Sequence, residues 1–330
     1  LPAVLSKAKG VWVWDVSEKK YLDMMSGYSA VSHGHAHPVL LKTFHDQSSK
    51  LSLTSRAFYT DTLGPYLETI TQMTGFEMAL PMNSGAEAVE TAIKSSRRWA
   101  YRTKKVEENK AEIIVAEGNF HGRTTTIISF STDENSRKDF GPHTPGFVAV
   151  EYGSSKAIED AITPNTAAVI IEPIQGEGGI IVPPDNYLNE VRAICTKHNV
   201  LMILDEIQSG LGRTGKLFAY QHSCGQCSCG ENSCDVKPDG LILGKALGGG
   251  FMPVSVFLSS EEVLSWMDPG SHGSTFGGNP LASALAKRSL ELLYEENLIE
   301  NSRVMGNYFK EQLTALNSEL IVEIRGMGLW

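Results

Sequence analysis

Three apolar runs of this sequence lead directly into residues able to do nucleophilic or acid–base chemistry. VLMILDE reaches Asp205, DGLILGK reaches Lys245, and AAVIIEPIQGE carries Glu172 and Glu177. In open α/β sheets ligands gather at the carboxyl ends of strands, so polar residues directly after such runs are the first candidates for a site. Taken alone, a lysine there reads as a solvated charge and an aspartate as a turn or cap residue. Together they have a joint use. A lysine in a partly desolvated site becomes a nucleophile that forms imines, and a carboxylate beside a pyridine nitrogen keeps that ring protonated and electron-withdrawing. The pair is the minimum machinery of pyridoxal chemistry.

Such a cofactor also needs a phosphate cradle, and MNSGAEAVETAIKSSRRWAYR supplies a Ser-Gly turn opening onto a helix. Free backbone N–H groups near Gly85 and Ala86, the Ser84 hydroxyl and the helix dipole suit a phosphate dianion. The same residues also read as an ordinary helix start, with Ser84 as N-cap and Glu87 in capping-box position. A fourth segment, GNFHGRT, sets Phe120 near Arg123. Phe120 could stack on a flat heteroaromatic ring, and Arg123 could hold a carboxylate in bidentate fashion; the alternative is a core phenylalanine and a surface arginine.

The elements that must position these residues follow from hydrophobic patterning. AEIIVAE, AAVIIEP, VLMILDE and DGLILGK read as buried strands separated by amphipathic stretches, the pattern of an α/β sheet. Between the second and third, NYLNEVRAICTKHN places Leu188, Val191, Ile194 and Cys195 on one helical face, with Asn199 as its stop. A βαβ crossover is expected there. KLFAYQ reads as helical, the stretch from Pro280 to Leu313 as helix, and IVEIRG as a strand of a further domain.

Composition narrows the partners. With 330 residues, 42% of them hydrophobic, the chain can bury a large core. A net charge of −9 without a Lys/Arg-rich run offers no electrostatic footprint for nucleic acid. No apolar run is long enough to span a bilayer, and LPAVLSKAKG lacks the order of a secretory signal. The expectation is a cytoplasmic protein, with the mitochondrial matrix as the alternative. Four of the five cysteines, Cys224, Cys227, Cys229 and Cys234, crowd into HSCGQCSCGENSC, and the fifth is Cys195. Their C-x2-C-x-C-x4-C spacing is open to two readings, a tetrahedral zinc site or reduced surface thiols. His33, His35 and His37 alternate in SHGHAHP and are read as a structural turn before Pro38 rather than as metal ligands.

Longer motifs carry a resemblance. LMILDEIQSGLGRTGKLFAY, LILGKALGGGFMPVS and HGSTFGGNPLA resemble the class III aminotransferases of the fold-type I pyridoxal-phosphate family, and the likeness runs over essentially the whole chain. It implies a large domain with a mostly parallel sheet flanked by helices and a small α+β domain made by the chain ends. On that pattern residues 1–35 belong to the small domain, 36–285 form the cofactor-binding domain, and 286–330 are a linker helix and the start of an incomplete C-terminal part. The implied cofactor is pyridoxal 5′-phosphate. Lys245 would anchor it covalently, Asp205 would meet the ring nitrogen, Gln208 the ring hydroxyl and Phe120 the ring face, while Ser84, Gly85 and Ala86 would bind phosphate. Thr275 would reach the phosphate of a neighbouring subunit, which implies a homodimer with composite sites.

LDMMSGYSAVSHGHAHP, LTSRAFYTDTLG, LPMNSGAEAVETA and NYLNEV are similar to the ornithine-handling branch of that family. The implied substrates are L-ornithine, through its δ-amino group, and 2-oxoglutarate. Tyr28 and Tyr59 would lie at the substrate, Tyr28 at its α-amino group, and Arg123 would clamp its α-carboxylate. Glu177 resembles a glutamate that pairs with a C-terminal arginine and gates substrate choice; that arginine falls beyond Trp330 in the family pattern. Freed Lys245 would carry a proton from the substrate δ-carbon. FHGRT and KALGGG lean toward the branch that takes acetylornithine, whereas Tyr28 suits a substrate with a free α-amino group. A catalytically silent scaffold acting through the cysteine loop is the alternative from another class.

Overall fold

Runs such as AAVIIEP carry no polar face because the sheet they build is covered on both sides. In the computed structural model, which describes residues 2–223 and 236–330, that sheet has seven strands. Ahead of it, β1 (Leu5–Lys9), β2 (Trp12–Asp15) and β3 (Lys20–Leu22) form a small antiparallel meander. The large sheet contains β4 (Met78–Met82), β5 (Glu112–Ala116), β6 (Phe147–Val150), β7 (Thr166–Ile171), β8 (Leu201–Asp205), β9 (Gly240–Leu243) and β10 (Ser255–Ser259). Their spatial order is β4-β10-β9-β8-β7-β5-β6. β10 is antiparallel to both neighbours, and the other contacts are parallel. Six strands therefore end on one edge of the sheet, and the site residues collect there.

Alternate side chains of these strands enter two cores. Ile114, Val169, Met202 and Leu241 pack on one face; Ile113, Ile170, Ile203 and Ile242 pack on the other, beside Phe257. Each is essentially removed from water, and full burial of such a side chain is favourable by roughly 1.5–3 kcal/mol. The helix Gly85–Trp99 lies across the second face and buries Ala88, Val89, Ala92 and Ile93. The expected crossover helix is Tyr187–His198: Leu188, Val191 and Cys195 are buried, and Asn199 ends it in the left-handed conformation at φ 51. Asparagine tolerates that conformation better than most residues, so the stop follows from residue type.

Three local expectations are corrected. IVEIRG is not a strand: the residues from Ile321 to Gly326 have no ladder partner among the described residues, and Val322 is 98% exposed. β-branched residues favour a strand only where a pleated neighbour exists to pack on. KLFAYQ is not a helix either; only a 3₁₀ turn at Ala219–Ser223 forms, because Glu206 draws the Ala219 and Tyr220 amides onto its buried carboxylate. The continuous C-terminal helix is two helices, Pro280–Glu295 and Leu298–Ala315, broken where Asn297 turns left-handed. No helix among the described residues is long and apolar enough to cross a membrane.

Candidate active site

Strand register assembles the site. Ile171 pairs with Leu204 across β7 and β8, and Asp205 pairs with Ile242 across β8 and β9. Glu172 and Asp205 consequently leave the sheet side by side, and Lys245 follows just past the end of β9. Because β10 is inserted between β9 and β4, the turn after β4 also opens on this edge and delivers the start of the Gly85–Trp99 helix. A cavity of about 180 Å³ lies among these ends, lined by Gly85, Ala86, Phe120, His121, Gly122, Glu172, Asp205, Ile207, Gln208 and Lys245, among others.

Lys245 sits in a left-handed backbone conformation, φ 46, that a side chain other than glycine rarely adopts. Burial lowers its pKa, against the opposing pull of Asp205, Glu177 and Glu172. That is the direction an amine nucleophile needs. Asp205 is 4% exposed; its Oδ1 accepts from the Ile207 N–H at 3.0 Å and its Oδ2 from His121 Nδ1 at 2.7 Å. Glu172 accepts from the Phe120 and Gly176 amides, both at 3.1 Å. Burial, aided by the charge of Asp205, pushes its pKa to about 7 although His121 and the two amides pull the other way. Burial lowers the pKa of His121, yet the bond and charge of Asp205 and the charge of Glu172 outweigh it, so the net shift is upward.

At the helix start the capping box is complete. Ser84 Oγ accepts from the Glu87 amide at 3.3 Å, and the Glu87 carboxylate takes the Asn83 and Ser84 amides. The amides of Gly85 and Ala86, two residues that line the cavity, have no partner among the described residues. The helix-cap expectation for this turn holds, with the Ser84 hydroxyl engaged with Glu87, and it leaves the donors at residues 85 and 86 available to an anion. The helix start is also closely packed: a Cβ at Gly122 would come 2.9 Å from the Ala86 Cβ.

Other expected residues stand apart. Glu177 is exposed on the turn bridged at Gln175 and Ile181, with Oε1 3.4 Å from Gln208 Nε2. Arg123 is exposed, its guanidinium 5.8 Å from the centre of the Phe120 ring. Tyr28 is 58% exposed, Tyr59 fully so, and Thr275 is also at the surface; none of them lines the cavity. His33, His35 and His37 turn to three separate partners, Ser289 O, Asp23 and Glu296. Cys224, Cys227, Cys229 and Cys234 lie outside the described residues, and no cluster of three or more metal-ligating side chains occurs among the described ones. Sequence reasoning passed over His121, although the FHGRT motif held it next to Phe120.

An open, mostly parallel sheet with a lysine and a buried carboxylate meeting at its carboxyl edge defines a class of enzyme, and similarity to known proteins agrees with it. The family model described as aminotransferase class-III matches residues 1–330, and the chain belongs to that family. It is 55% identical over 330 residues to the ornithine aminotransferase of Brevibacillus brevis, covering all of this chain and 80% of that protein. The ornithine aminotransferase structure from Toxoplasma gondii ME49 superposes with a TM-score of 0.94 at 42% identity, over 99% of this chain and 76% of that one. An acetylornithine aminotransferase structure from Elizabethkingia anophelis is 44% identical with a TM-score of 0.86, over 99% of this chain and 78% of that one.

The cofactor is pyridoxal 5′-phosphate. The donor set of the cavity fits it: two unpaired amides for a dianion, a buried carboxylate for a ring nitrogen, and an amine with a lowered pKa for an aldehyde.

Proposed function

We infer that this chain transfers the δ-amino group of L-ornithine to 2-oxoglutarate, giving glutamate 5-semialdehyde and glutamate. The observation that carries the reading is the meeting of Lys245, Asp205 and the free Gly85 and Ala86 amides in one cavity, in a chain 55% identical to an ornithine aminotransferase. When bound, pyridoxal phosphate supplies an aldehyde that takes up amino groups and a protonated ring that draws electrons from the adjacent carbon.

The chain's own residues do the rest. Lys245 would hold the cofactor covalently at rest; once released, its amine would take the proton from the substrate δ-carbon and deliver it two bonds along, on the far side of the transferred nitrogen. Its lowered pKa is the direction a base requires. Asp205 would meet the ring nitrogen, Gln208 the ring hydroxyl, and Phe120 the ring face. Gly85, Ala86 and Ser84 would hold the phosphate, and the helix dipole would add to their donors.

Arg123 takes the substrate α-carboxylate, with Tyr28 at the α-amino group and Tyr59 beside it. Glu177, on its exposed turn, is free to exchange partners and so to change the charge that an incoming substrate meets. Thr275 serves the phosphate site of a second copy in a homodimer, which accounts for its exposure together with Phe276, 52% exposed.

The FHGRT motif and the Elizabethkingia structure favour a second reading, with N-acetylornithine as donor. One experiment separates the two. Holoenzyme is mixed with L-ornithine, N-acetylornithine or 4-aminobutyrate, and the visible absorption of the lysine-bound cofactor is followed. Rapid loss with ornithine is expected. Loss with N-acetylornithine alone supports the second reading, and a protein that stays colourless after incubation with pyridoxal phosphate contradicts both.

A further inference from the structure

His121 lies against the cofactor cavity with its side chain wholly enclosed. Its Nδ1 is 2.7 Å from Asp205 Oδ2. A carboxylate only accepts, so Nδ1 carries the proton of that bond. The other ring nitrogen, Nε2, is buried and has no partner among the described residues. Leaving a buried polar atom unpaired is costly, so a residue chosen only to fill this space would be apolar. Phe130, whose ring centre is 6.0 Å away, shows that an aromatic hydrocarbon is accommodated on this side of the loop. Asp205 meanwhile is held at both oxygens, Oδ1 by the Ile207 amide and Oδ2 by His121. Two such bonds leave its carboxyl plane no freedom to turn.

We propose that His121 is a positioning residue for the cofactor: through its bond to Oδ2 it sets the orientation in which Asp205 meets the ring nitrogen. This rests on the assignment of Asp205 to that nitrogen. The charged groups facing the imidazole are Asp205 and Glu172, with Lys245 across the cavity; both carboxylates favour the protonated ring. The bond is therefore charge-assisted and of the stronger kind.

The test compares three holoenzyme variants. His121→Asn keeps an amide N–H where Nδ1 stood, His121→Phe keeps a ring but no donor, and Asp205→Asn removes the charge itself. Readouts are the rate of cofactor release and the pH titration of the visible absorption. With one charge-assisted hydrogen bond lost, His121→Phe is expected to release cofactor about tenfold faster or more and to shift the titration, while His121→Asn stays within about threefold of wild type. Where the phenylalanine variant does not fold, His121→Gln replaces it, because its donor is moved one bond further out and the same loss is expected. Equal behaviour of the asparagine variant and the variant lacking a placed donor overturns the proposal. If Asp205→Asn changes both readouts and the His121 variants change neither, the proposal alone fails. If Asp205→Asn changes neither, the assignment of Asp205 fails with it.

Discussion

Replacing Gly122 by alanine should weaken cofactor binding through crowding alone, and the size of the effect can be worked from the packing around it. Gly122 has φ 128, in the region that L side chains rarely adopt, and its Cβ would stand 2.9 Å from the Ala86 Cβ, 3.1 Å from Ile127 Cδ1 and 3.3 Å from the Ala86 Cα. The backbone conformation costs roughly 1–3 kcal/mol, and overpacking a closed contact adds about 1–3 kcal/mol. Ile127 can yield, being the end of a flexible side chain, but Ala86 is part of the helix and cannot. Relief must therefore come by moving the FHGRT loop away from Ala86, which widens the cavity at the proposed phosphate site. If the crowding cost appears in binding, cofactor affinity falls about tenfold for each 1.4 kcal/mol. Gly270 provides the control, with φ 83 and nothing within 4 Å of its Cβ. Gly270→Ala carries backbone strain without crowding. Titration of each cofactor-free variant with pyridoxal phosphate, alongside urea unfolding, should show stability lost in both and affinity lost only in Gly122→Ala. Equal affinities in the two variants would refute the argument.

Two further outcomes are expected. Ser84→Ala should lower stability by about 0.5–2 kcal/mol through loss of the cap, read as an earlier midpoint in urea, with Ser84→Gly falling between it and wild type. The pH dependence of stability should carry a signature of Glu206, which is buried and accepts from Ser209 Oγ and the Ala219 and Tyr220 amides. Burial pushes its pKa from 4.5 to about 7 in the folded state, against those three bonds. The folded form thus binds the proton more tightly, so this contribution is fully present below about pH 4.5 and is lost as the pH rises through about 7, at roughly 1.4 kcal/mol per pH unit between those values. Glu206→Gln, measured as unfolding free energy from pH 5 to about 8, should remove that falling component; the same slope in variant and wild type would disprove it.

The strands and their chemistry were legible because a strand buried on both faces is an uninterrupted apolar run, and a polar residue at its end is conspicuous. Asp205, Lys245 and Glu172 all stand at such ends, and Asn199 and the Ser84–Glu87 box announce a helix stop and a helix start through residue type alone. These features depend on neighbours within a few positions. What depends on distant neighbours was not legible. IVEIRG has the composition of a strand, but pairing decides whether one forms, and KLFAYQ yielded to a carboxylate at Glu206. His121 gave no sign of its bond to Asp205, 84 residues further along the chain. The residue types were enough to say that an amine, a carboxylate and a capped helix start were present. That they share one cavity was decided by β10 running antiparallel between β4 and β9, because this leaves β4 parallel to β9 and brings the Gly85 helix start to the edge where Lys245 and Asp205 emerge.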